Sequence, residues 1–129
     1  MTARLTKDAV LAMHAMLSAQ TGGDDGLREA ALLESALGAA YQTFGGEELY
    51  PTPEEKAARL GYSLIANHAF ADGNKRIGML AMLTFLSLAG APIAPKRGEV
   101  ARIGLAVADG TMQYGELLTW ICENRKNAN

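Results

Sequence analysis

The run from Ile77 to Pro95 contains no charged side chain, and nothing else in this 129-residue chain limits the fold so tightly. An uncharged run of that length is buried either in protein or in lipid. Gly90-Ala91-Pro92 interrupts it. The helix left before the break has about 13 residues and is about 20 Å long, against a hydrocarbon core about 30 Å thick. Thr84 and Ser87 add polar groups to it. The run therefore predicts the buried central helix of a globular bundle and argues against a membrane span. Composition points the same way. Ala and Leu dominate while β-branched Val and Ile are scarce, which favours helix over strand. The length is that of one domain, so residues 1–129 are expected to form a single all-α unit.

Five more helices are expected around that one. Thr6 can cap a first helix running to about Gln20, followed by the polar connection Thr21 to Gly26. A second runs from about Leu27 to Phe44, with Leu33, Leu37, Ala40, Tyr41 and Phe44 at helical spacing. Gly45 to Tyr50 reads as an ambiguous loop. The third helix has the clearest start: Thr52 as N-cap, Pro53 at the first position and Glu55 completing a capping box. It should run to about Asn67. The central helix covers Asn74 to about Ala89, a fifth about Arg97 to Ala108, and a last about Tyr114 to Lys126.

Charge and cysteine content exclude some functions. With 12 basic against 14 acidic residues and a net charge of −2, the chain lacks the basic face a general nucleic-acid binder needs. A single cysteine, Cys122, excludes an internal disulfide framework and a cysteine-built zinc cage. The apolar stretch Ala9 to Ala19 resembles a signal-peptide core, but Asp8 at its edge and His14 within it oppose export. His14 reads as a structural or exposed histidine. The expected location is the cytoplasm.

One stretch, His68-Ala69-Phe70-Ala71-Asp72-Gly73-Asn74-Lys75-Arg76, carries chemistry. It lies between two strongly predicted helices. A helix start has unpaired backbone N–H groups and the positive end of the dipole, which suits an anion. Gly73 would let a phosphate approach the backbone, and Asn74 adds an amide donor. Lys75 and Arg76 are cations that the dipole disfavours there, which suggests a bound anion. Asp72 could hold magnesium together with substrate phosphates, or simply cap the helix. His68 could take a proton from an attacking hydroxyl, or cap the preceding helix. Phe70 reads as a core anchor for the loop. Base, metal carboxylate and phosphate cradle are the parts of phosphoryl or nucleotidyl transfer.

The same segment resembles the signature of the Fic/Doc family, H-x-F-x-D/N-A/G-N-K-R in its Doc (death-on-curing) branch. Seven fixed positions put a chance match on the order of one in a billion per starting position. Gly26-Leu27-Arg28, Leu32 to Leu37, Glu55 to Ala58 and Ala89-Gly90 are similar as well. The resemblance implies an all-α fold of about six helices around the motif helix, and ATP-dependent modification of a target-protein hydroxyl. It implies His68 as general base, Asp72 as magnesium holder, Gly73 and Asn74 lining an anion hole, and Lys75 and Arg76 on phosphates. The loop Phe44-Gly45-Gly46-Glu47-Glu48-Leu49-Tyr50 stands where the family presents its target. The branch also implies γ-phosphate transfer, elongation factor Tu as target, inhibition of translation, and a cognate antitoxin whose segment folds on binding.

Departures from the adenylylating pattern G-N-G-R-x-x-R favour that branch. Lys75 replaces its second glycine, and Met79 its second arginine. Adenylyl transfer is the alternative, and a non-catalytic binding module of the same fold is a second. Thr119 to Asn124 also fits a loose inhibitory pattern of some Fic proteins, read here as an ordinary helix end with Trp120 in the core.

Overall fold

The computed structural model describes residues 4–22 and 26–126, so Gly23, Asp24 and Asp25 of the predicted glycine-rich connection lie outside the described residues. The described helices are α1 (Lys7–Thr21), α2 (Ala30–Ala39), α3 (Pro53–Asn67), α4 (Asn74–Leu88), α5 (Glu99–Ala108) and α6 (Tyr114–Glu123). The only strands among the described residues are β1 (Thr43–Phe44) and β2 (Glu47–Glu48), an antiparallel pair. The fold is all-α, as expected.

The uncharged run forms α4 and lies at the centre. Its residues Ile77, Gly78, Met79, Ala81, Met82, Phe85 and Leu86 are all buried. α3 packs closest to it, because two glycines let the backbones approach. A Cβ on Gly78 would fall 2.5 Å from Ile65 Cγ1, and one on Gly61 would fall 2.9 Å from Met82 Sδ. α1 and α5 also pack on α4, while α2 and α6 pack on α3. The buried side chains form one apolar cluster. Among the described residues no helix is long and apolar enough to cross a membrane.

α3 begins as its sequence predicts. Glu55 N–H donates to Thr52 Oγ1 at 3.1 Å, Thr52 N–H donates to Glu55 Oε1 at 3.2 Å, and Pro53 opens the helix.

The second helix is shorter at both ends than expected. Residues 26–29 are not helical, because their backbone is used elsewhere: Leu27 and Phe70 form an antiparallel bridge. Arg28 N–H donates to Ala69 O at 2.8 Å, and Ala71 N–H donates to Gly26 O at 3.0 Å. At the other end α2 stops at Ala39, and Phe44 lies in β1. Gly45 and Gly46 take positive φ of 60° and 84°, the pairing a tight two-residue hairpin turn requires. The apolar spacing that seemed to extend the helix fails at Phe44, which is 81% exposed.

Two other boundaries move for similar reasons. α5 starts at Glu99, after a turn in which Gly98 takes φ 84°. α6 ends at Glu123, because residues 124–126 pair with the segment after α4. Ala94 N–H donates to Asn124 O at 2.9 Å, and Lys126 N–H to Pro92 O at 3.1 Å.

Candidate functional site

The motif spans the end of α3, a five-residue loop and the first turn of α4. His68 is the C-cap of α3 with φ 52° and ψ 49°. It is the one non-glycine at positive φ among the described residues. An L-residue enters this left-handed region at a cost, so surrounding contacts must hold it there. Two are visible: Arg28 Nε donates to His68 O at 2.9 Å, and the bridge between residues 26–29 and 69–71 fixes the next residues. The His68 side chain is left exposed.

The loop then turns inward. Phe70 is 2% exposed, and its ring stacks on that of His14 from α1, with centroids 3.8 Å apart and planes 12° from parallel. Asn74 clamps the Phe70 backbone from both sides. Phe70 N–H donates to Asn74 Oδ1 at 3.1 Å, and Asn74 Nδ2 donates to Phe70 O at 3.0 Å. The Asn74 side chain, expected as an anion donor, is thus engaged in shaping the loop. What it still offers an anion is its backbone N–H and the remaining amide hydrogen.

Gly73 is the N-cap of α4, with φ 78° and no side-chain cap on the helix. Asp72 does not cap it. Its Oδ1 accepts from the adjacent Gly73 N–H at 2.8 Å. The carboxylate is exposed. The first-turn N–H groups of α4 have no intrahelical acceptor. A Cβ on Gly73 would meet Arg76 Nη2 at 3.2 Å and His14 Nε2 at 3.4 Å. The Arg76 guanidinium is therefore folded back over the open helix end. Lys75 leans the other way: its Cβ faces Gly104 of α5, 3.9 Å from where that glycine's Cβ would be.

Met79 lies one turn beyond, 3% exposed, with its Cγ 3.1 Å from a Cβ placed on Gly104. Beside it runs an open apolar groove of about 680 Å³, lined by Leu17 of α1, Lys75, Arg76, Met79 and Leu83 of α4, and Leu105 of α5, among others.

Among the described residues no group of three or more His, Cys, Asp or Glu could hold a metal ion. A single exposed carboxylate beside a helix start fits magnesium that arrives on a nucleotide, since that ion is held by one or two carboxylates plus phosphates.

The hairpin of β1 and β2 belongs to the far end of α3. Lys56, 3% exposed, donates to Glu48 Oε1 at 2.7 Å and to Tyr50 O. Twelve residues separate Lys56 from His68, about 18 Å along the helix axis. The structure thus sets His68, Phe70, Asp72, Gly73, Asn74 and Arg76 along one connection from α3 into α4, turns Lys75 toward α5, and ties Glu48 and Tyr50 of the hairpin segment to the start of α3.

Residues 4–86 match the profile of the Fic/DOC family, and the match contains the whole loop just described. The chain belongs to this family. Within it the similarity is to the Doc branch. Seventy-three residues are 41% identical to Toxin Doc of Mycolicibacterium smegmatis, covering 57% of this chain and 56% of that protein. The match thus spans little more than half the length of that relative. Fic/DOC proteins are transferases, transferring AMP or phosphate, and typically use ATP.

Two contributors to the Fic/DOC loop escape a reading of the motif alone. Arg28 is distant in sequence, and only its bond to His68 O shows its part. His14 carries a usable signal: Val10, His14 and Ser18, four residues apart, are the buried positions of α1.

The C-terminal pattern forms a helix end. Trp120 is 5% exposed, with Nε1 donating to Glu99 Oε1 at 3.3 Å. Glu123 is exposed.

Proposed function

We propose that this chain is a Doc-like toxin that moves the γ-phosphate of ATP to a hydroxyl of a target protein, residues 1–129 acting as one domain in the cytoplasm. The supporting observation is the shape of the cradle: a glycine-capped, uncapped-by-side-chain helix start with Arg76 over it and Met79 buried one turn on. An arginine at position 79 would aim the far end of the triphosphate in adenylylating relatives. Here that position is packed against Gly104. Lys75, in place of the second glycine, adds bulk and charge at the margin of the cradle, on the side facing α5. Both changes favour a triphosphate lying with its γ-phosphorus toward His68.

In this reading His68 takes the proton of the target hydroxyl. The hydroxyl oxygen bonds to the γ-phosphorus, the bond from that phosphorus to the β–γ bridging oxygen breaks, and ADP leaves. Asp72 would hold magnesium arriving on the nucleotide, an ion that would supply charge neutralisation at the phosphates. Gly73 and Asn74 backbone N–H groups and Arg76 bind phosphate oxygens, with Lys75 at the margin. The hairpin from Phe44 to Tyr50 docks the target, elongation factor Tu being the candidate, by adding a strand to β1. The apolar groove between α1, α4 and α5 gives a folding antitoxin segment a surface to cover.

Incubation with a cell extract and ATP labelled at either the γ- or α-phosphate tests the reading. Label from γ-³²P-ATP, and an adduct of about 80 Da, is expected. An adduct of about 329 Da would replace the kinase reading with adenylyl transfer. No adduct at all would favour the binding module.

A further inference from the structure

His14 lies on α1, distant in sequence from the motif, yet it touches the motif loop at two points. Its ring stacks on Phe70 at 3.8 Å, and its Nε2 lies 2.7 Å from the backbone oxygen of Asp72. A carbonyl can only accept, so Nε2 is the donor and carries the ring proton in this bond. The ring is 1% exposed, and its second nitrogen, Nδ1, is buried with no hydrogen-bond partner among the described residues. A side chain chosen for packing alone would not bring an unsatisfied nitrogen into the core, because that nitrogen loses water and gains nothing. The same ring also approaches the helix start, with Nε2 3.4 Å from where a Cβ on Gly73 would stand.

We propose that His14 is a positioning residue for the phosphate cradle. The ring holds Phe70 from one side, as Asn74 holds its backbone from the other. The Nε2–H bond fixes the Asp72 carbonyl, and with it the peptide plane that carries the Gly73 N–H. The direction of the Asp72 carboxylate follows, since its Oδ1 is bonded to that N–H at 2.8 Å. His14 therefore sets where the magnesium carboxylate points and where the first anion-binding N–H groups of α4 begin. The inference rests on the reading of this loop as a magnesium–nucleotide site.

The test separates packing from hydrogen bonding. His14→Phe keeps a flat ring on Phe70 and removes the donor. His14→Gln returns a donor of similar reach. Backbone amide exchange and chemical shifts of Ala71 to Asn74 are measured without nucleotide, beside calorimetric titration with magnesium and a non-hydrolysable ATP analogue. In His14→Phe the loop amides should shift and exchange faster, and affinity should fall about tenfold, the scale seen when a partner that orients a metal ligand is removed. His14→Gln should restore most of both. Should His14→Phe fail to fold, His14→Met provides the same comparison with Gln.

Unchanged loop amides in His14→Phe would overturn the proposal, as would loop changes with full affinity, or equal losses in Phe and Gln variants. Absence of analogue binding in the wild-type protein would overturn the site reading instead. The loop amides would then still decide whether His14 orders the loop.

Discussion

The starts of α3 and α4 are built in opposite ways. α3 opens on Thr52 and Pro53, with both arms of a capping box made and two acidic residues in its first turn. The N–H groups of Thr52 and Glu55 are satisfied by each other's side chains, and Pro53 has none to satisfy. α4 opens on Gly73 with no side-chain cap, no acidic residue in its first turn, and Lys75 and Arg76 where the dipole disfavours them. α5 shows that the glycine start alone is not the distinction. It too begins on glycine, but Glu99 sits in its first turn, and hydrogen bonds from Arg102 and then Trp120 hold that carboxyl below the usual carboxylate range. Among the described residues only the α4 start pairs an open end with cations in its first turn. α2 also starts without a side-chain cap, but no cation stands in its first turn; the open start that carries cations is the one next to His68 in the chain.

The comparison breaks at once if the open end is not where the reaction occurs. His68→Ala should lower transfer to the target by about 10²–10⁴-fold, the usual cost of losing a general base. The melting temperature should barely move, since the side chain is exposed. Transfer at the wild-type rate would remove His68 from the reaction.

Gly73→Ala should close the open end partly. The new Cβ meets Arg76 Nη2 at 3.2 Å in a backbone conformation with φ 78°. We expect about 1 kcal/mol of lost stability from the left-handed conformation. Magnesium–nucleotide affinity should fall about tenfold. Full affinity with normal stability would show that the glycine is incidental.

A matched pair of capping substitutions sharpens the contrast. Thr52→Ala removes a working cap and should cost about 1 kcal/mol, about 3–5 °C in melting temperature, with transfer per folded molecule unchanged. Asp72→Ala should cost under about 0.5 kcal/mol, because the Asp72 side chain does not cap α4. It should instead weaken the dependence of nucleotide binding on magnesium. Equal stability losses would mean that Asp72 is a cap after all.

The smallest effect concerns the closed end. Tyr114 donates its hydroxyl to Glu55 O at 3.4 Å. Burial, and then the Glu55 carboxylate, pushes that hydroxyl from its ordinary 10.0 up to about 12. Between those values the unfolded chain has lost a proton the folded chain keeps. Stability therefore falls as pH rises through that window and is unaffected below it. Tyr114→Phe should flatten the alkaline part of a melting-temperature profile, with no change near neutrality. A variant that loses stability at high pH as steeply as the wild type would refute the assignment.

What the sequence revealed follows the same division. α3 and α4 were legible because capping residues and an uncharged run act locally. The motif was legible because its residue types are contiguous. The end of α2 was misread because apolar spacing continues through Phe44, while the glycine pair that makes the hairpin acts only through its backbone. The start of α2, expected at Leu27, differs for another reason: the partner of residues 27–29 is the motif loop, some 40 positions away. Asn74 shows the limit within the motif itself. Its side chain bonds Phe70 rather than lying open, a choice that depends on how the loop folds and not on its letters.

The close approach at Gly61 and Gly78 has a mechanical consequence. It joins the helix that ends in His68 to the helix that begins the cradle, so the two halves of the site share one rigid clasp. Catalytic geometry should then be lost in a single cooperative step, when that clasp opens, rather than fade as outer helices loosen. It also divides the chain into separately tunable parts. The clasp lies wholly within residues 4–86, the stretch shared with the family, whereas α5 and α6 lie beyond it. Of these two helices α5, with Val100, Ala101 and Leu105, lines the apolar groove, so changes at those positions can remodel the groove while leaving the clasp intact.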